Sequence, residues 1–214
     1  MKTVLVSLQG RSLEDAVEQC LRGAAADAST HGRALSVWLS GALARPFLFG
    51  PVSGLRGWNE GHEAAQSTAS HACGIDGPCR VVLESDPSAQ AVVATAVQEE
   101  TLHAIYRVAA ALRLRIKSIR PAWAEAIDAA PRASRDASLL VCRDVDSLTL
   151  LGLNGNRYEL ASTYAPQPGV VEVDSLLQRM RLSHDVPAQA TLEATIVVAA
   201  HNAPKVTWSA PERP

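Results

Sequence analysis

The stretch ALSVWLSGALARPFLFG, residues 34–50, is the strongest clue to the fold in this chain. Leu35, Val37 and Leu39 alternate with polar or aromatic residues, which is the two-residue period of a strand with one face in the core. A Ser-Gly break follows, and the short apolar run FLF then ends at a Gly-Pro pair. The stretch predicts a hairpin of two strands in the central sheet, with Val37 and Leu39 buried.

Composition indicates a folded protein and limits its partners. The chain has 214 residues, of which 47% are hydrophobic and 20% charged, enough for one ordinary domain or two small lobes. The formal net charge of -2 argues against broad binding of nucleic acid or of an anionic membrane surface. Four cysteines are too few for a disulfide framework at this length, and no apolar run is long enough for a signal peptide or a membrane helix. We therefore expect a cytoplasmic protein with reduced thiols and no direct membrane insertion.

The remaining periodicities predict a mixed α/β protein. Ser12 with Asp15 indicates a helix start, Gly74 indicates a helix end, and Asn154-Gly155 indicates a two-residue hairpin turn. Predicted strands cover 3–8, 80–84, 91–96, 114–119, 138–143, 147–153, 157–163 and 195–200, and predicted helices follow Ser12 and cover 58–73, 98–113, 122–129 and 174–182. We predict a first lobe at 1–130, a linker at 131–136, a second and smaller lobe at 137–200, and an irregular tail at 201–214.

A Cys/His cluster, HACGIDGPC, is one candidate metal site. It contains His71, Cys73 and Cys79, and His62 could complete four zinc ligands. The spacing matches no standard zinc motif, and two of the four residues would lie on one helix in poor geometry. We therefore expect a helical, partly buried Cys73, a Cys79 at a strand start, and no bound zinc.

Two acidic pairs are the other candidates for chemistry. Glu84 with Asp86, or Asp144 with Asp146, could serve metal-dependent hydrolysis. Both pairs stand at strand ends beside turns, where acidic residues are common for the turn itself. Cys142 lies inside a predicted strand without an identifiable basic partner, so we expect it in the core and not as a nucleophile. No phosphate-binding loop or nucleophile elbow is present.

Local sequence signatures add a family resemblance. The first signature, VWLSGALARPFLFG, resembles an LS-x-x-x-x-R-x-x-L segment. The next stretch resembles the section that follows this segment, and it consists of RVVLES, VVATAV, a helix and LRIKSIRPAW. SLLVCRDVDSLTLLGLNGNRYELAS resembles the hairpin that opens a second lobe. The family is the actin-like cytoplasmic proteins of bacterial type IV pilus and type II secretion platforms, the PilM- and GspL-like group, and the similarity covers residues 3–200.

This resemblance implies two ribonuclease-H-like lobes with mixed sheets flanked by helices, and a scaffolding role at the inner membrane. Full members bind nucleotide between the lobes, using an acidic, glycine-containing turn in each lobe. Here the opening hairpin of the first lobe is missing. The turn that contains Arg143, Asp144 and Asp146 has no glycine.

We therefore expect no cofactor and no enzymatic activity. The expected partner is a protein, such as an inner-membrane platform protein or a secretion ATPase, and through it the chain would be peripheral at the inner membrane. The alternatives are an ATP-binding actin-like protein, whose nucleotide would meet Arg143, Asp144 and Asp146, and a metal-dependent hydrolase.

Overall fold

The structure is a computed structural model, and it describes residues 2–26, 34–128, 139–155, 157–164, 191–197 and 205–209. Helices are interspersed among the strands as far as residue 128, and the described residues after that point form strands. The strands are β1 Lys2–Val6, β2 Ala34–Leu39, β3 Ala44–Phe49, β4 Cys79–Leu83, β5 Val92–Gln98, β6 Arg115–Pro121, β7 Leu139–Arg143, β8 Leu148–Asn154, β9 Arg157–Tyr164, β10 Thr191–Val197 and β11 Lys205–Ser209. The helices are α1 Leu13–Ala26, α2 Trp58–Cys73, α3 Glu99–Ala111 and α4 Ala122–Asp128.

The first sheet is parallel and has the order β1-β2-β6. Helix α1 connects β1 to β2, and Ser12 begins it as predicted, because its hydroxyl accepts the Asp15 N–H at 3.2 Å. Helices α1 and α3 cover one face of the sheet, where Val17, Leu21 and Ile105 are fully buried. Every element predicted in this part of the chain is present.

The predicted hairpin at residues 34–50 is wrong, although both of its strands exist. Strand β2 lies between β1 and β6, while β3 belongs to a different sheet and pairs with β5. The Ser40 carbonyl accepts the N–H groups of both Leu43 and Ala44, so the chain makes a helical turn here and not a tight hairpin turn. Val37 and Leu39 are buried as predicted, but Trp38 on the opposite face is buried too. A central parallel strand is covered on both faces, which the alternation concealed.

The chain between β2 and β6 forms a second, antiparallel sheet with the order β3-β5-β4. Helix α2 packs on it and has the predicted boundaries. The helix ends at Gly74, whose φ of 58° is the left-handed conformation of a C-terminal cap. Ala65 and Ala69 are fully buried against Phe47 of β3, so this sheet has a small core of its own.

The third sheet has the order β11-β10-β7-β8-β9. Strands β7, β8 and β9 form the predicted meander, and β10 lies parallel to β7. Asn154 is the last residue of β8 and pairs with Arg157, so it belongs to the strand and not to the turn as predicted. The predicted irregular tail is wrong at β11, which pairs antiparallel with β10. The predicted linker and the predicted helix at 174–182 lie outside the described residues.

The first and third sheets share one apolar cluster. Leu5 and Trp38 from the first sheet pack with Leu140 and Ile196 from the third, and Trp123 of α4 lies among them. Trp123 is only 1% exposed, and its indole N–H donates to the carbonyl of Ala44 at 2.8 Å. The two predicted lobes are therefore held together by a common core. No helix within the described residues is long and apolar enough to span a membrane.

Candidate functional site

Two aspartates of the β7–β8 turn reach across to the first sheet. Asp144 Oδ2 accepts the backbone N–H of Gly41 at 2.8 Å, just beyond the end of β2. Asp146 Oδ2 accepts the N–H of Leu8 at 2.5 Å and, at 3.4 Å, that of Gln9, just beyond the end of β1. We call this set of contacts the aspartate clamp. It joins the carboxyl ends of two parallel strands to a turn of the third sheet.

The turn itself is built to hold Asp144 in place. Asp144 Oδ1 accepts the Ser147 N–H at 2.8 Å, the Ser147 hydroxyl at 2.7 Å and the Asp146 N–H at 3.2 Å. The Asp144 N–H in turn donates to the Ser147 carbonyl at 3.0 Å. An aspartate that accepts hydrogen bonds from the backbone two and three residues later forms a turn by its own chemistry. One oxygen therefore shapes the turn, and the other is left to bind Gly41.

Gly41 permits this close approach. A Cβ atom at that position would lie 2.4 Å from the Thr149 hydroxyl oxygen and 2.7 Å from that of Ser147. Real Cβ atoms do not come so close to oxygen, so any larger residue would push the two sheets apart. The glycine is needed here for space, whereas glycines in tight turns are needed for positive φ.

The clamp concentrates negative charge in a poorly solvated place. Burial raises the pKa of Asp144 from its ordinary value of 3.8 to about 6 and the charge of Asp146 adds to this, while hydrogen bonds from Gly41 and Ser147 oppose it. The other Asp146 oxygen, Oδ1, is buried and has no hydrogen-bond partner in the described part of the chain. The Arg143 side chain is directed elsewhere and lies 4.0 Å from Glu193.

The structure thus brings together two of the three candidate nucleotide residues, but as internal contacts. Backbone N–H groups beyond the ends of parallel strands are the donors that α/β proteins commonly offer to anionic ligands. In this chain Leu8, Gln9 and Gly41 already donate to the carboxylates of Asp144 and Asp146. The arrangement can fix the two sheets relative to each other.

Three of the four zinc candidates have partners of their own, and the fourth, His71, is exposed in the last turn of α2. The His62 ring bonds the Val81 carbonyl at 2.8 Å, Cys73 is 3.8 Å from the Arg45 carbonyl, and Cys79 is 3.7 Å from the Ser70 hydroxyl. Cys73 is helical and partly buried, and Cys79 begins β4, as expected. Burial raises the pKa of the Cys73 thiol to about 12. No group of three or more His, Cys, Asp or Glu among the described residues could hold a metal.

The first acidic pair has a different arrangement from the one predicted. Asp86 forms a local turn by accepting the Ser88 N–H at 2.9 Å. Burial, together with the charge of Asp128, raises the pKa of Glu84, and burial with both of these carboxylates raises the pKa of Tyr158. The charges of Glu84 and Asp128 therefore act on each other and on Tyr158. Sequence analysis missed this group because its members come from three distant elements.

Cys142 lies in the core, as predicted. It is 1% exposed, and burial raises the pKa of its thiol to about 12.

A pocket of about 250 Å³ lies elsewhere, between the first turns of α1 and α3. An ion pair between Glu14 and Arg107 lies at this pocket. Glu99, Glu100 and His103 also line this pocket.

Comparison with solved structures defines the fold. The chain matches a protein of actin-like ATPase fold and unknown function from Bacteroides thetaiotaomicron with a TM-score of 0.56 and 9% sequence identity, over 93% of this chain and 82% of that one. Two further matches are weaker. The cytoplasmic domain of EpsL, an inner-membrane component of the type II secretion system of Vibrio cholerae, gives a TM-score of 0.44 at 11% identity, over 77% and 70% of the two chains. The PilM–PilN type IV pilus biogenesis complex gives 0.48 at 16% identity, over 82% of this chain and 52% of that one.

No protein-family model matches the chain, and no curated protein matches it by sequence. The comparison with solved structures shows that the fold of this chain is actin-like, as the sequence resemblance implied.

Proposed function

We propose that this chain is a non-enzymatic scaffold or adaptor that binds a partner protein in a pilus- or secretion-type assembly. The sequence resemblance gives the direction of the proposal, and the observation that carries it is the aspartate clamp. The partner would be an inner-membrane platform protein or a secretion ATPase, and it would hold the chain at the cytoplasmic face of the inner membrane.

The clamp opposes nucleotide binding at this end of the parallel strands for two reasons. A phosphate group would have to take the N–H groups of Leu8 and Gly41 from the carboxylates that now accept them. It would also face the charges of Asp144 and Asp146 in a region of low solvation, where like charges repel strongly. A dissociation constant of ~10 μM requires roughly 7 kcal/mol of binding free energy. Without a phosphate cradle, Arg143 alone is too weak a source of that energy.

Calorimetric titration with ATP and magnesium tests the non-nucleotide part of the proposal. We expect no saturable heat from the wild-type protein, and the same result for Arg143→Ala. A saturable signal in the wild type that disappears in Asp144→Ala would show that the carboxylate serves magnesium and nucleotide, and would favour the ATP-binding alternative. Phosphodiesterase activity that depends on added manganese or magnesium, and is lost in Glu84→Gln, would favour the hydrolase alternative.

A separate measurement tests the scaffold part. The candidate partners are a single-span membrane protein or a secretion ATPase encoded by a neighbouring gene. The purified soluble domain of each candidate is titrated with this chain in the absence of nucleotide. We expect a stoichiometric complex by calorimetry and by size-exclusion chromatography. Failure of every such domain to bind, with or without nucleotide, would contradict the proposal.

A further inference from the structure

Strand β6 forms one edge of the first sheet. It pairs with β2 on one side, and no other strand within the described residues pairs with it. Its seven residues make it one of the longer strands of the structure, and its side chains are exposed or half-buried throughout. An edge strand carries a row of backbone N–H and C=O groups that can pair with another chain. Natural proteins usually shorten or cover such an edge, so a long exposed one is a candidate interaction surface.

A β-bulge in this strand separates its apolar from its basic side chains. Leu35 pairs with Ile116 and Ser36 with Ser118, so Lys117 is an extra residue without a partner in β2. The bulge lets Ile116 and Ile119, three residues apart, both pack against the helix-covered core. A regular strand would turn one of them to the other face.

Basic residues then follow the edge. The exposed basic residues are Arg113, Arg115, Lys117 and Arg120, and none of their side chains has a hydrogen bond or ion pair within the described part of the chain. The sequence has no Asp or Glu from residue 101 to residue 124, although the whole chain has a net charge of -2. The edge is therefore a local positive surface on a slightly acidic protein. We call it the basic edge.

We propose that the basic edge docks an extended acidic segment of the partner protein, which adds to the first sheet as a strand beside β6. This proposal rests on the proposed scaffold function and names the surface and the chemistry of the partner. Backbone hydrogen bonds would supply most of the affinity, and the basic side chains would select acidic sequences. Arg115 and Lys117 lie on either side of Ile116 at the start of this edge, so carboxylates of an acidic segment beside β6 would find more than one basic side chain there.

Charge decides among the possible occupants. A second copy of this chain would place one basic edge against another, and like charges opposite each other destabilise strand pairing. Nucleic acids and anionic lipid surfaces usually require a broad basic face, whereas these charges follow a single strand. An acidic polypeptide in extended conformation satisfies both the charges and the free backbone groups of β6.

The test uses a fluorescent eight-residue peptide of alternating Glu and Val, measured by polarisation against the full chain. A peptide of alternating Lys and Val is the charge control, and the Glu-Val peptide with alternate backbone amides methylated is the pairing control. We expect the acidic peptide to bind roughly tenfold more tightly than the basic one, since exposed ion pairs contribute ~0.2–1 kcal/mol each. Methylation should abolish binding if the peptide pairs as a strand.

The matched variants are the double charge reversal Arg115→Glu with Lys117→Glu and, as control, Arg80→Glu. Arg80 is exposed on β4, the edge strand of another sheet. The double reversal should invert the peptide preference, and Arg80→Glu should leave it unchanged. A circular dichroism melt of each variant checks that it folds. If the double reversal does not fold, the double variant Arg115→Gln with Lys117→Gln replaces it and should abolish the preference.

Several results would overturn the docking proposal without affecting the scaffold proposal. The first two are equal binding of both peptides and binding that survives backbone methylation. The third is tighter binding to single-stranded DNA or to vesicles containing phosphatidylglycerol. The fourth is protection of every β6 amide from hydrogen exchange in the free protein. If the partner domain binds the double-reversal variant as well as it binds the wild type, the scaffold stands and its docking surface lies elsewhere. If no partner binds but the peptide preference is present and inverts, the scaffold proposal alone fails.

Discussion

Removing the Asp146 carboxylate should weaken the clamp without disturbing the turn that contains it. Among the described residues, the side chain of Asp146 bonds only to Leu8 and Gln9, whereas the turn is held by Asp144 and Ser147. Asp146→Ala therefore deletes one of the two contacts of the clamp and leaves the local hydrogen bonds, and the contact of Asp144 with Gly41, in place. The Leu8 N–H loses a charged acceptor in a partly buried position.

The magnitude follows from these contacts. A hydrogen bond to a charged group contributes ~1.5–3 kcal/mol. The Gln9 contact, at 3.4 Å and exposed, adds little. The unpaired buried Oδ1 of Asp146 carries a cost that the substitution relieves, so we expect a loss of about 1–2.5 kcal/mol in the free energy of unfolding. For a chain of this size that corresponds to a fall of roughly 2–10 °C in Tm.

Urea unfolding and hydrogen exchange together test this prediction. The matched control is Asp76→Ala. It removes an exposed acidic side chain that makes no hydrogen bond or ion pair with any residue that the structure describes, and it should change stability by less than ~0.5 kcal/mol. In Asp146→Ala the Leu8 amide should exchange faster than in the wild type, by more than the loss of global stability explains. Amides in the middle of β2 should change only as much as global stability does. Sodium formate should recover part of the lost stability, since formate can occupy the vacated acceptor position, and sodium chloride at equal ionic strength should not. If Asp146→Ala matches the control in stability and in Leu8 exchange, the clamp does not hold the sheets together.

Three further predictions address the same turn and the cysteine cluster. Because burial raises the pKa of Asp144 to about 6, the folded state binds more protons than the unfolded state between about pH 4 and pH 6. The Asp144 contribution to stability should be fully present below pH 4 and fall by up to ~3 kcal/mol as the pH rises through 6. In parallel urea titrations Asp144→Asn should lack this pH dependence, and identical pH profiles of the two proteins would contradict the prediction. Gly41→Ala should cost about 1–3 kcal/mol through overpacking against Thr149 and Ser147, and a Tm equal to that of the wild type would show that the sheets can separate freely. Protein made under reducing conditions should contain no stoichiometric zinc by elemental analysis, and zinc that is lost on Cys73→Ser would refute the prediction.

The sequence predicted elements better than it predicted their pairing. Helix α2 was predicted to the residue because its end depends on Gly74, a local signal. The hairpin at residues 34–50 was wrong because strand partners depend on distant residues. Strand β2 is paired on both sides by β1 and β6, which leaves no edge for β3. The burial of Trp38 depends likewise on residues of the third sheet and of α4, about which local periodicity carries no information.

The aspartate clamp shows the same limit at the site. Asp144 and Asp146 were identified as candidates, yet their partners lie 103 and 138 positions away in the chain and are backbone N–H groups. Every residue except proline carries such a group, so side-chain patterns could not reveal the donors. The one available signal was Gly41, where the missing side chain permits the close approach of Ser147 and Thr149. That glycine predicted a turn, but its structural role is contact between sheets.

The clamp also bears on how an actin-like fold can serve as a scaffold. A ligand can change the relative position of two lobes only to the extent that it binds one arrangement more tightly than another. Here the chain's own carboxylates hold the arrangement through Leu8 and Gly41, and a shared core around Trp38 and Trp123 stabilises it further. Separating the sheets would therefore break charged hydrogen bonds and expose apolar surface together. A partner that docks on the basic edge would meet a first sheet whose position is already fixed, so little of its binding free energy would be spent on ordering this chain.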